Sequence, residues 1–140
     1  MVEKNFNIPF EKVEKLVVRQ NEHITIFNNG STEQVAEWLQ EEITELKEVL
    51  EKKEFDKIEL ESEIGDVAYL LIRMSQMTGI DLIEAVLSKV ARNYRKYGKA
   101  ESREQAKADW GDKDHEYLDN WTKAFREKQA KKKSLTTSNQ

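Results

Sequence analysis

The chain of 140 residues contains no cysteine, which excludes a disulfide scaffold, a thiolate zinc site and a cysteine nucleophile. Two histidines leave little for a histidine-rich metal site. One proline and five glycines offer little turn material, so a few long helices suit the chain better than many short strands. No apolar run approaches the roughly 18 residues of a membrane span, so no membrane partner is expected. The opening residues Met1-Val2-Glu3-Lys4-Asn5 do not read as a signal peptide, and the expectation is a soluble, cytoplasmic protein. Neither sign of charge dominates: 23 Lys and Arg stand against 27 Asp and Glu, for a net charge of −4. That balance gives no general electrostatic reason to bind a nucleic acid polymer. The Gly-rich run of a Walker loop is missing as well.

What remains is enough chain for one domain, with 38% hydrophobic and 36% charged residues. This is polar for a compact monomer. A helical protein with long solvated faces, or an oligomer that shares its core, fits better. The fold expected is all-α, a bundle of four to five helices, as a single domain over 1–130 with a disordered tail over 131–140.

Local signals place the helices. Pro9 suits a first helical turn, and Phe10, Val13, Leu16 and Val17 follow at helical spacing to about Asn21. Ile24 and Ile26 alternate weakly, and Asn28-Asn29-Gly30 signals a turn. Ser31 with Gln34 forms a capping-box pair, ahead of Val35, Leu39, Ile43, Leu46 and Leu50, with an end near Lys53. Asp56 with Glu59 opens a third helix carrying Leu60, Ile64, Val67, Ala68, Leu71, Ile72 and Met74, and Gly79 stops it. Asp81, with Glu84 three residues on, opens a fourth that ends before Gly98. Residues 101–109 suggest a short polar helix, Trp110-Gly111-Asp112 a break, and 113–130 a last amphipathic helix.

Eleven acids lie between Glu41 and Asp66, and such a run is ordinarily a solvated helix face. Position on the helical wheel separates them. At about 100° per residue, Glu42 projects inside the apolar arc of the second helix, between Trp38 and Leu46, and Glu45 lies at its margin. On the third helix Glu63 falls between Val67 and Leu70, with Asp66 one step round. Each helix thus carries a carboxylate pair at i, i+3, on one side. A single Glu beside an apolar stripe is usually a margin residue reaching for solvent; two such pairs on consecutive helices are a stronger pattern. Facing acids near an apolar layer need raised pKa values, basic partners or bound cations. The lysines nearby fall mainly on solvent faces or helix ends. A hard divalent cation is the simplest answer, and oxygen-only ligands favour Mg²⁺ or Mn²⁺.

Glu41-Glu42-Ile43-Thr44-Glu45, then seventeen residues, then Glu63-Ile64-Gly65-Asp66 resembles the E-E-x-x-E … E-x-x-D signature of the all-α nucleoside triphosphate pyrophosphohydrolases. That superfamily contains the MazG-like enzymes, the dimeric dUTPases and the dCTP pyrophosphatases. Gly79-Ile80-Asp81-Leu82 resembles the exit from its third helix. The run from Val86-Leu87-Ser88-Lys89 through Asn93 to Lys96-Tyr97 is similar to its K-x-x-x-N-x-x-K/R-Y segment. The resemblance covers about residues 30–98.

The resemblance implies a MazG-like bundle and Mg²⁺-dependent hydrolysis of a nucleoside triphosphate to a monophosphate and pyrophosphate, in the upkeep of nucleotide pools. It makes Glu42, Glu45, Glu63 and Asp66 the metal ligands, with Glu42 or Glu45 also taking the proton of the attacking water. Lys89, Asn93 and Lys96 would contact metal or phosphate. Trp38, one turn before Glu42, is a candidate to stack on the base, although a core or subunit-contact role suits it too. A homodimer or homotetramer is expected, with the active site between antiparallel helices. Two other readings compete. One is a non-catalytic helical interaction module with an acidic surface. The other is a di-iron bundle, which needs Glu-x-x-His pairs that neither His23 nor His115 supplies.

Overall fold

The computed structural model describes residues 7–24, 30–99, 101, 104–105, 108–109 and 111–138. Among these residues it contains no strand. Five helices are bounded within the described residues: α1 (Phe10–His23), α2 (Thr32–Glu51), α3 (Lys57–Thr78), α4 (Leu82–Tyr97) and α5 (Asp112–Ser138). The expected all-α class is what is found. The chain divides into two compact units, residues 1–82 and 83–140. No helix among the described residues is long and apolar enough to cross a membrane.

In the first unit, the ends of the helices follow from their local chemistry. Pro9 stands one residue outside α1, and its carbonyl accepts the amides of Lys12 and Val13 at 3.0 and 3.2 Å. The helix runs to His23, two residues past the expected end. Of the weakly alternating stretch, Ile24 is the extended C-cap of α1, while residues 25–29, with the Asn28-Asn29 turn, lie outside the described residues. Ser31 caps α2, its Oγ accepting the amide of Gln34 at 3.1 Å. Only half of the capping box forms, since the Gln34 side chain donates to Glu37 at 3.4 Å. Asp56 likewise caps α3 by accepting the Ile58 amide at 2.8 Å, while Glu59 turns away to pair with Lys52 at 2.8 Å. Gly79 ends α3 with φ of 71°, in the left-handed region that a Cβ disfavours, and the Ile80 amide closes onto the Ser75 carbonyl at 3.0 Å.

Three cross-pairs show that α2 and α3 run antiparallel. Going up α2 from Trp38 through Glu42 to Lys52, the partners go down α3 from Arg73 through Glu63 to Glu59. Helix α1 packs on α3 as well, and Gln76 donates its side-chain amide to the Glu14 carbonyl at 2.9 Å.

Val17, Val35, Val49 and Ile72 form a thin core for this unit. The sequence reading placed Ile43 and Leu50 on the α2 stripe and Ile64 and Leu71 on the α3 stripe. All four are exposed instead, at 49%, 50%, 51% and 41%. The reason is geometric. Each isoleucine follows its site carboxylate by one residue, and in an antiparallel pair that step turns both to the same flank. Leu50 and Leu71 continue the flank seven residues on. The hairpin therefore carries a second apolar face, whose four side chains are exposed.

In the second unit, α4 buries Ser88 and Ala91, and the Arg92 guanidinium lies 4.4 Å from the centre of the Phe125 ring of α5. The residues described between 101 and 109 are helical, with Gln105 donating to Asp109 at 3.0 Å. Trp110 lies outside the described residues, and Gly111 has a positive φ of 80° just before α5. The tail expected over 131–140 is helical as far as Ser138. Glu127-Lys128-Gln129-Ala130-Lys131-Lys132-Lys133 is a run of strong helix formers without Gly or Pro, so propensity carries the helix on where apolar periodicity has ended.

Candidate metal centre

The α2–α3 hairpin brings together three of the four acids singled out from the sequence. One carboxyl oxygen from each of Glu42, Glu45 and Glu63 lies within 4.8 Å of the other two. Glu42 and Glu63 are half-buried and Glu45 is exposed, matching their places inside and at the margin of the apolar arc. Asp66 is exposed one turn along α3 and stands outside the converging three, although its charge reaches both Glu42 and Glu63.

The electrostatics of the trio are unfavourable as the side chains stand. Glu42 and Glu63 each have an Oε2 that is buried and accepts no hydrogen bond. Burial pushes the Glu42 carboxyl above the ordinary range, helped by the charges of Asp66, Glu45 and Glu63 and by a proton shared with Glu45. Burial likewise raises Glu63, followed by the charges of Glu45, Asp66 and Glu59. Lys52 opposes that rise, but its ammonium is tied to Glu59. Two buried, unpartnered carboxylate oxygens beside a third carboxylate form an oxygen-only donor set that suits a hard divalent cation. For Mg²⁺, ligand distances of about 2.1 Å would draw the oxygens closer together.

Lys89, Asn93 and Lys96 lie at exposed positions of α4, in the second unit. The Lys96 ammonium sits 5.0 Å from the centre of the Tyr97 ring. A hydrogen bond from Lys96, then its charge and that of Lys89, lowers the pKa of the Tyr97 phenol.

Trp38 is half-buried at the far end of the hairpin from Lys52. Its ring packs against Gly30 so tightly that a Cβ there would come 3.0 Å from Cζ3. The Arg73 guanidinium covers it, 5.5 Å from the ring centre. Arg73 has no role in the sequence reading, yet it is the only base between Val67 and Met77, and that isolation is the signal it gave. It is 5% exposed and pairs with no carboxylate among the described residues. A cation–π contact is worth about 2 kcal/mol when desolvated, whereas a buried unpaired charge costs several kcal/mol. The ring alone does not compensate the charge.

The family model for the MazG nucleotide pyrophosphohydrolase domain matches residues 30–99, half of the chain. The chain belongs to that family. The match opens beside the Ser31 cap, takes in all four acids and α4, and closes just beyond Tyr97. Comparison with curated proteins and with solved structures finds no match.

Proposed function

We propose that this protein is a Mg²⁺-dependent nucleoside triphosphate pyrophosphohydrolase, with Mn²⁺ as an alternative ion. Water adds to the α-phosphorus, the bond to the α–β bridging oxygen breaks, and the products are a nucleoside monophosphate and pyrophosphate. The observation that carries this reading is the Glu42–Glu45–Glu63 trio with its two buried, unpartnered oxygens.

Glu42, Glu45 and Glu63 would hold the metal, with Asp66 completing the set. Divalent ions there would neutralise phosphate charge and make a bound water more acidic. The side chains have distinct work. Glu42 or Glu45 takes the proton of the attacking water. Glu63 and Asp66, on the opposite helix, keep the acidic cluster two-sided. Lys89, Asn93 and Lys96 contact the phosphates, an assignment that rests on the family segment and their shared exposed face. Trp38 meets the base with the ring surface that Gly30 and Arg73 leave open. No covalent nucleophile is needed.

The protein works in the cytoplasm on the nucleotide pool, as a homodimer or homotetramer. The uncovered flank of Ile43, Leu50, Ile64 and Leu71 supports assembly, because a second hairpin would cover it. A screen for Mg²⁺-dependent pyrophosphate release across canonical and modified nucleotides tests the activity. Absence of release from every nucleotide, with magnesium bound and the fold intact, would leave a non-catalytic helical module in its place.

A further inference from the structure

We propose that Lys52 contacts phosphate at the pyrophosphate end of the substrate, an inference that rests on the pyrophosphohydrolase reading above. It starts from a repeat within the hairpin. Trp38, Glu42, Glu45 and Lys52 follow one another at the same intervals as Glu59, Glu63, Asp66 and Arg73, namely four, seven and fourteen residues from the first. At about 100° per residue, each set falls within an arc of about 80° on its helix. The helices are antiparallel, so one line of side chains leads from Trp38 across the acids to Lys52, the C-cap of α2. There Glu59 holds the Lys52 ammonium at 2.8 Å. Glu59 stands one turn before Glu63, about 6 Å along α3, and the charge of Lys52 is felt at Glu63.

With the base at Trp38 and the reacting phosphate at the acids, the leaving pyrophosphate points along this line toward Lys52. Acids and phosphates are negative alike, and divalent ions held by the acids are shared between them. The end of the phosphate chain farthest from those ions needs a cation of its own. Lys52 is suited to supply it. Its side chain is 51% exposed, and Glu59 Oε1 accepts from one of the three ammonium donors. An ion pair this open contributes little stability, so a phosphate oxygen can take the ammonium over at small cost. Lys47 does not serve in its place, since it lies half a turn round α2 and pairs with Glu51 at 3.7 Å.

The test compares full-length wild type with Lys52→Met, Lys52→Arg and Glu59→Gln. Calorimetric titration measures their affinity for magnesium pyrophosphate and for the nucleoside monophosphate of whichever nucleotide wild type hydrolyses, and steady-state kinetics measure KM. Lys52→Met is expected to bind pyrophosphate about tenfold more weakly or worse and to raise KM, with monophosphate affinity unchanged. Lys52→Arg, which keeps the charge, is expected to recover most of the loss. Glu59→Gln breaks the same ion pair but leaves the ammonium in place, and is expected to bind pyrophosphate as tightly as wild type or more so. Lys52→Met that keeps pyrophosphate affinity, or loses monophosphate affinity equally, overturns the assignment. So does Glu59→Gln with the same loss as Lys52→Met, which would mark the pair as a fastening of the hairpin. A wild type that releases pyrophosphate from no nucleotide removes the catalytic reading and this inference with it, an outcome distinct from an active enzyme indifferent to Lys52→Met.

Discussion

Glu42 and Glu63 set carboxyl oxygens within 4.8 Å of each other across the α2–α3 hairpin, and each keeps one oxygen buried and without a hydrogen bond. The pair connects the chemistry of the site to the stability of the fold, and two of the predictions follow from it.

Glu63→Gln is expected to lose turnover by orders of magnitude while the helical fold persists. In metal-free protein the same change is expected to raise the melting temperature near neutral pH. Burial raises the Glu63 pKa in the folded state, so between the ordinary carboxylate range and that raised value the native state binds more protons than the unfolded one. Stability therefore falls as pH rises through this window. The gain from Gln should vanish below the window, and melting curves in EDTA at pH 3.5 and 7.5 check it. An equal gain at both pH values would point to packing rather than charge.

Magnesium is expected to stabilise the wild type and to flatten its decline with pH. Binding at a hundredfold excess over Kd adds about 2.7 kcal/mol. The rise should be larger at pH 7.5 than at pH 4, where protons compete for Glu42 and Glu63, and EDTA should reverse it. Scanning fluorimetry across a magnesium series reads the effect.

Ile43→Glu or Leu71→Glu is expected to weaken self-association, because each puts a charge on the uncovered apolar flank. Light scattering coupled to size exclusion should show a smaller particle than wild type. An unchanged mass would remove this flank as the interface.

Gly79→Ala is expected to cost about 1–2 kcal/mol, because φ of 71° is left-handed. No atom lies within 4 Å of the new methyl group, so the cost is conformational and not a clash. Ser31→Ala should cost about 1 kcal/mol through loss of the α2 cap. Urea unfolding with an unchanged slope measures both.

Much of the first unit was legible in the sequence, because short-range chemistry decides it. The caps at Ser31 and Asp56 and the stop at Gly79 are local patterns, and they stand where they were read. The helical wheel also separated Glu42 from its neighbour Glu41, since burial on a helix follows angle. What the wheel lacks is knowledge of what an apolar face packs against. Ile43, Leu50, Ile64 and Leu71 have the periodicity of core residues and yet face outward. Asp66 shares a side with Glu63 and its charge acts on Glu42, although its oxygens are not among the three that converge within 4.8 Å. Arg73 gives no periodic signal, because it sits among core residues, where a base carries no period of its own. The far end of α5 has no apolar stripe to announce it, although its residues favour helix.

The carboxylates at 42 and 63 place two demands on the same side chains. Any substitution that removes their charge is expected to make a hardier polypeptide and an idle one. A laboratory selection for heat tolerance alone should therefore drift toward glutamine or a hydrocarbon at these two positions. Their persistence as acids under such pressure would measure how strongly turnover is being demanded.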